Sequence, residues 1–433
     1  MKHKCLLIHY YFPPIHAIGA VRLYNIALYL QKFLGNVWIM TTQNRHILPN
    51  DIQNIKGFNI LEAYTLDYRT LSYLLANKNI LFDEKTKLSR LARFAIKLMR
   101  SFPFNLIFGE GGIIYICHAF FKSWKLVKKE NITTIFSSFA PYSDHFIAYL
   151  LKLFFPKLYW IADFRDLHVE PLYDVVFWKS FQHKCNKLIL KKADCVTTVS
   201  EGLAVHLRQY HPHVYVFRSG ITMPSDEDTP PQYFSKNRSD FTKFTISYTG
   251  SMYSNERDPS LFLKVIRDLA DKKVLPKETF QIMYAGKDTA IWKDWMAQYN
   301  LEDYFVPRGM LSVLEAKKIQ SQSHINLLLT SSAPYWTGVM TGKFYEYLAA
   351  QKPILVLING TQDIEFESIM TDLAAGFLGY NDKSFEETRH FILTKFQEWQ
   401  QTGHVLQTIR REKMTEMTWS SVVQKFIKDV LEK

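Results

Sequence analysis

Short apolar runs, nearly free of charge and each too short to cross a membrane, recur along this chain between longer segments of helical periodicity. KCLLIHYYF from Lys4, NVWIMTT from Asn36, GFNILEA from Gly57, ITTIF from Ile132, LYWIADF from Leu158, DCVTTVS from Asp194 and VYVFRSGI from Val214 form one series. FTISYTG from Phe244, FQIMYAG from Phe280, FVPRG from Phe305, HINLLLT from His324 and PILVLI from Pro353 form a second. Strands without polar alternation are covered on both faces, the condition of a parallel sheet whose crossovers are helices. Two such series predict two doubly wound α/β domains. A length of 433 residues agrees, since a domain holds roughly 100 to 200. The polar, Pro-rich segment MPSDEDTPPQYFSKNRSD separates the series, giving a first domain over 1–221, a linker over 222–243 and a second domain from 244.

Charge is uneven. Up to Tyr215 the chain carries 27 Lys and Arg against 14 Asp and Glu, so the net +12 belongs to the first half. Such a field attracts nucleic acid, an anionic membrane or a polyanionic substrate. No basic and aromatic nucleic-acid module accompanies it, so nucleic acid is not an expected partner. Over Lys85–Phe104, Arg90, Arg93, Lys97 and Arg100 recur at helical spacing beside Leu88, Leu91, Phe94 and Leu98. The helix GIIYICHAFFKSWKLVKKE sets Trp124 among Lys122, Lys125, Lys128 and Lys129. Both patterns fit a packed surface helix or adsorption to an anionic bilayer. The apolar runs of both halves stop short of the roughly 18 residues a span requires. The N-terminus meets Pro13 and Pro14 without a small-residue cleavage site and reads as a strand. Cys5, Cys117, Cys185 and Cys195 are scattered without zinc spacing, as expected of reduced thiols in a cytoplasmic protein with no metal site.

The stretch YWTGVMTGKFYEYLAAQKPILVLI, Tyr335–Ile358, concentrates the chemistry: a small-residue loop, a helix opening near Thr341, and a buried strand after Pro353. A helix start offers free N–H groups and the positive end of a dipole, which suit phosphate. Gly338 and Gly342 allow close approach, Lys343 adds a cation, and Glu346 lies one turn in, where a carboxylate accepts from paired ribose hydroxyls. An ordinary packed helix with solvated Lys343 and Glu346 fits the same letters. In the first loop of the second domain stand Gly250, Ser251 and Arg257, the last facing a pyrophosphate opposite Lys343. Near the start, Gly19 lies in a loop where the backbone could approach a donor closely, ahead of a helix with Arg22 in its first turn. On the first domain, His145 is either an acceptor contact or a histidine on a helix surface. Arg165 and Asp166 at a strand's carboxyl end are either ligand contacts or a structural ion pair. G-x-G-x-x-G, G-x-S-x-G, H-E-x-x-H and G-x-x-x-x-G-K-[ST] patterns do not occur, so dinucleotide, hydrolase, zinc and Walker-type sites have no support.

Taken together, YYFPPIHAIGAVRLYNIALYL, SSFAPYSDH, WIADFRD, ADCVTTVSEGL, YTGSMY with RDP, WTGVMTGKFYEYLAAQKPIL and TWSSVVQKFIKDVLE resemble the GT-B glycosyltransferases, and within them family 4, bacterial enzymes that build surface polysaccharides. The resemblance covers nearly the whole chain. It implies two Rossmann-like domains facing across a cleft, the donor held by the second (244–414), and a C-terminal helix, 415–433, crossing back to the first. It implies a retaining hexosyl or N-acetylhexosaminyl transfer from a nucleotide-diphosphate sugar, without metal or other cofactor, to a saccharide acceptor, lipid-linked and met at the inner face of the cytoplasmic membrane. Arg257 and Lys343 would then stabilise the leaving diphosphate. Glu346 matches the second of the family's two glutamates separated by seven residues, the one on the donor ribose. The first would fall at Gly338, where this chain has no carboxylate, and Ser219-Gly220 stands where many relatives have Asn-Gly. A sugar-nucleotide epimerase of the same fold and a non-catalytic nucleotide- or glycan-binding relative are the alternatives.

Overall fold

The computed structural model describes residues 3–15, 18–43, 57–67, 90–171, 174–222, 241–252, 257–334 and 336–432. The polar segment 223–240 and positions 85–89 of the basic helix lie outside them. The chain divides into two compact units, Met1–Arg218 with Val422–Lys433, and Ser219–Ser421.

In the first unit β1 (Cys5–Ile8), β2 (Val37–Thr42), β3 (Asn59–Ala63), β4 (Thr134–Phe139), β5 (Tyr159–Phe164), β6 (Cys195–Thr198) and β7 (Val214–Val216) form one parallel sheet in the order β3-β2-β1-β4-β5-β6-β7. Leu6 pairs with Trp38 on one side and Ile135 on the other. The chain order reverses between β1 and β4, so the loops after these strands part and leave a crevice at the sheet's carboxyl edge. Helix Ile18–Leu34 begins earlier than expected, and Gly19 is its second residue rather than part of a loop. A β-carbon there would overlap the guanidinium of Arg165.

Arg22, one turn into that helix, is a buried structural cation. Its guanidinium donates to Asp163 Oδ1 at 3.2 Å and to the Phe217 carbonyl at 2.8 Å, and it lies over the Phe217 ring. Asp163 also accepts from the Ser138 and Thr197 hydroxyls. The last helix, Trp419–Phe426, ends on the same patch, where Phe426 stacks on Phe217 at 4.3 Å and meets Phe136 edge-on. Helix Tyr142–Phe154 buries its first turn. His145 is therefore a core residue and not a surface histidine: it is fully buried against Phe139, Trp160 and Phe164, with Nδ1 2.8 Å from the Ser137 hydroxyl. Burial, with His9 and His168 adding to it, drives its pKa down to about 3.

The second unit repeats the scheme with β8 (Phe244–Thr249), β9 (Phe280–Ala285), β10 (Phe305–Gly309), β11 (Ile325–Ser332), β12 (Ile354–Gly360) and β13 (Gly376–Tyr380), all parallel in the order β10-β9-β8-β11-β12-β13. Alternate residues of the central strands fill two cores. Leu327, Leu329, Leu355 and Leu357 join Phe244, Ile246, Phe262 and Trp292 on one face. Leu328, Ile354, Val356 and Ile358 join Phe344, Tyr347 and Phe366 on the other. Pro307 is tolerated because β10 is an edge strand, where a missing ladder donor costs nothing. The opposite edge, β13, reads GFLGY, and its two glycines hide it from a search for apolar runs. Among the described residues no helix is long and apolar enough to cross a membrane.

Two measurements test this packing. Arg22→Met strands the Asp163 carboxylate and should cost about 3–5 kcal/mol, read as a lower urea midpoint. An unchanged midpoint would show that the pair is not buried. A neutral buried imidazole at position 145 makes the folded pKa lower than the ordinary 6.5. Its contribution is then complete above pH 6.5 and is lost as pH falls toward about 3, because the unfolded chain takes up the proton first. His145→Gln should flatten the fall of unfolding free energy across that window by about 1.4 kcal/mol per pH unit.

Candidate functional site

The sequence of the second unit reverses its strand order between β8 and β11, so the loops that follow these two strands open a crevice at the carboxyl edge. Gly250 leaves β8 at φ +134°, a conformation side chains rarely adopt. Contacts to the described residues then hold the turn, among them the Tyr248 hydroxyl donating to the Ser251 carbonyl at 2.9 Å. Gly250 N–H donates to the Ala285 carbonyl at 2.8 Å, and the Tyr284 hydroxyl donates to the Gly250 carbonyl at 2.9 Å. Met252 N–H donates to Asp288 at 2.8 Å, and Arg257 donates to the Ser251 carbonyl at 2.5 Å. Arg257 is thereby fixed beside the backbone of Gly250-Ser251, its guanidinium also 3.4 Å from the Tyr248 hydroxyl.

From the other side comes helix Gly342–Ala350, opened by Thr341 in an extended conformation. The Thr341 hydroxyl does not cap the helix and is buried without a hydrogen-bond partner among the described residues. Lys343 reaches across to β8: its Cε lies 3.2 Å from where a β-carbon on Gly250 would stand. Its ammonium donates to Glu346 Oε2 at 2.8 Å. Gln320, almost fully buried, donates to the same carboxylate oxygen and to the Thr249 hydroxyl, both at 2.9 Å. The Tyr347 hydroxyl accepts from Thr249 N–H at 3.2 Å, and burial pushes its pKa up to about 12. Lys317 joins the cluster electrostatically. Burial lowers its pKa, Glu346 raises it and Lys343 lowers it further.

The structure thus gathers Arg257, Gly250, Ser251, Lys343, Thr341, Gly342 and Glu346 around one turn and one helix start. Gln320 and Lys317 were not singled out in the sequence. Their signal is faint: a polar i, i+3 pair on helix Val313–Gln322, whose amphipathic spacing looks like any surface helix. Gly338 lies in the loop ahead of Thr341 at φ +69°, and its N–H donates to both Asp363 oxygens at 2.9 and 2.8 Å.

On the first unit the crevice at β1 and β4 is lined differently. Arg165 donates to the carbonyls of Phe139 and Ala140 at 3.0 and 3.3 Å and fills the space above Gly19, while Asp166 is exposed beside it. His145 lies beneath this surface. The group on which the buried loop converges is its neighbour Asp144, which accepts from Tyr10 N–H at 2.8 Å and from the Tyr115 hydroxyl at 3.0 Å, with His9 Nδ1 at 3.4 Å.

Chemically, the second-unit site combines two cations, a helix start and a carboxylate around one turn, an arrangement for an anion joined to a hydroxylated group. No protein-family model matches the chain, and no curated protein matches it by sequence. Solved structures do. Sucrose-phosphate synthase from Thermosynechococcus elongatus is similar at TM-score 0.61 and 12% identity, over 100% of this chain and 99% of that one. The catalytic domain of starch synthase IV from Arabidopsis thaliana, bound to ADP and acarbose, is similar at 0.55 and 10%, over 99% and 98%. WaaG, a glycosyltransferase involved in lipopolysaccharide biosynthesis, is similar at 0.51 and 9%, over 98% and 95%. With two parallel sheets of seven and six strands and likeness along its whole length to such enzymes, the chain has the two-domain, Rossmann-like GT-B fold.

Proposed function

We propose that the protein is a retaining glycosyltransferase that moves a hexosyl or N-acetylhexosaminyl group from a nucleotide-diphosphate sugar to a saccharide acceptor. The observation that carries this reading is the convergence of Lys343, Glu346 and Arg257 on the turn at Gly250. A diphosphate seated at the start of helix Gly342–Ala350 meets the N–H groups of its first turn, Lys343 and Arg257. A ribose beyond it meets Glu346, whose orientation is set by Gln320. Charge grows on the diphosphate as the glycosidic bond breaks, so these cations act most strongly in the transition state, and they supply that stabilisation without a metal or other cofactor. The retaining course rests on the resemblance to family 4, as do the role in surface-polysaccharide synthesis and the lipid-linked acceptor.

A lipid-linked acceptor requires contact with a cytoplasmic membrane face, and the first unit supports a peripheral one. Phe121 and Phe154 are 60% and 56% exposed, Phe154 against the Trp124 ring and Phe121 against Phe120, with Lys125, Lys128 and Lys129 exposed on the same helix as Trp124. Helix Arg90–Met99 contributes less than its letters suggest, because Lys97 is paired with Asp174 and leans over the Phe177 ring. Each basic side chain near an anionic surface contributes about 1 kcal/mol, so binding should be reversible and salt-sensitive.

The primary test offers the purified protein a panel of nucleotide sugars with extracted lipid-linked glycans and follows nucleoside diphosphate release. Acceptor-dependent release supports the reading; conversion of a donor to its epimer without acceptor, or donor binding without turnover, contradicts it. Glu346→Ala should weaken donor binding about ten- to hundredfold with little change in turnover, since ribose contacts are alike in ground and transition states. Arg257→Ala and Lys343→Ala should instead lower turnover about a hundredfold or more. Equal effects on affinity and turnover in all three would refute this division. For the membrane, replacing Lys125, Lys128 and Lys129 with Gln should abolish low-salt sedimentation with anionic vesicles while leaving donor binding intact.

A further inference from the structure

The volume that a side chain at position 338 would occupy is already taken. Gly338 is buried at φ +69°, and a β-carbon built on it overlaps the carboxylate of Glu365, which arrives from helix Ile364–Leu373 after β12. Asp363, the residue that caps this helix by accepting from Phe366 N–H at 3.0 Å, also grips Gly338 N–H with both oxygens. One buried aspartate therefore fixes the Gly338 backbone and the start of the helix that carries Glu365. Burial raises the Asp363 pKa, and Glu365 and Glu367 raise it further, so the local field is already negative.

We propose that Glu365 contacts the sugar of the donor, and that this chain carries on a neighbouring helix the carboxylate that its resemblance places at 338. The proposal rests on the glycosyl-transfer reading above and assigns a residue to its sugar subsite. Three observations carry it. The carboxylate enters the volume directly over Gly338, four positions ahead of Gly342, in the loop that ends at the helix start and the unpartnered Thr341 hydroxyl. Gly338 is itself turned into a conformation that admits this approach. Finally, a carboxylate oxygen accepts hydrogen bonds, and the sugar hydroxyls are the O–H donors that a nucleotide sugar brings, whereas its diphosphate repels an acid. The same logic selects a neutral sugar over one bearing a carboxylate.

A bland role is available to Glu365, because an acid in the first turn of a helix stabilises that helix. The experiment separates the two. Calorimetry on the full chain compares a nucleotide sugar chosen from the panel with its nucleoside diphosphate, for the parent, Glu365→Ala, Glu365→Gln and the double variant Gly338→Glu with Glu365→Ala. Both single variants should bind the nucleotide sugar about ten- to hundredfold more weakly, with diphosphate affinity changed less than about twofold. The double variant should recover part of the loss, the remainder reflecting a side chain at positive φ. Glu365→Gln keeps the size of the side chain and answers the question if the alanine variant does not fold. Equal shifts for both ligands, or no shift for either, would overturn the proposal while leaving glycosyl transfer in place. A parent that binds no nucleotide sugar would remove the reading and the proposal together.

Discussion

The hydroxyl of Tyr347 accepts the Thr249 N–H at the end of β8, in the core of the second unit, and the rest of the site is suspended from that bond. It ties helix Gly342–Ala350 to the strand across the point where the sheet reverses its order. With Tyr347 anchored, Lys343 one turn earlier falls over Gly250, and Glu346 beside it falls within reach of Gln320. Gln320 in turn bonds the Thr249 hydroxyl, so two helices and a strand end are locked through one threonine. Buried polar links of this kind are costly when half satisfied and specific when complete. Here they convert sheet topology into fixed positions for mobile side chains.

The two units solve the crevice differently. In the second, Lys343, Glu346 and Arg257 line the opening over the buried Tyr347 and Gln320, with the buried Asp363 carboxylate holding the loop at Gly338. In the first, the charges are driven inward: Arg22 meets Asp163 in the core, and Asp144 takes hydrogen bonds from Tyr10 and Tyr115. Arg165 alone of that group stays partly exposed, held by two carbonyls above Gly19. Among the described residues glycine thus admits a neighbour's charged side chain in both units, Arg165 at Gly19, Lys343 at Gly250 and Glu365 at Gly338.

Architecture was legible in the sequence wherever burial on both faces wrote an uninterrupted apolar run, as in β11 and β12, and wherever a helix start carried small residues, as at Thr341-Gly342. It was illegible where a different force decided. The edge strand β13 contains two glycines and is held by its pairing with β12, not by propensity. His145 read as either an acceptor contact or a histidine on a helix surface, yet its helix turns its first residues into the core. Gln320, Lys317 and Glu365 matter through contacts made across 26 or more positions of chain, which no local spacing encodes. The loop after β8 and the stretch around Thr341-Gly342 carried small residues and cations that local spacing displays, whereas Gln320, Lys317 and Glu365 sit on helices with ordinary surface patterns.

The ion pair between Lys343 and Glu346 has a consequence for how such a site fills. The cation assigned above to the diphosphate and the carboxylate assigned to the ribose satisfy each other in the structure. On the proposed reading a donor exchanges these partners instead of adding contacts, and its affinity is the difference between two sets of interactions. About a third of each side chain is exposed, so the resting pair is weak and the exchange is easy. Added salt loosens the resting pair along with the bound one, so the two dependences oppose each other, and ionic strength becomes a poor gauge of how many charges the ligand meets.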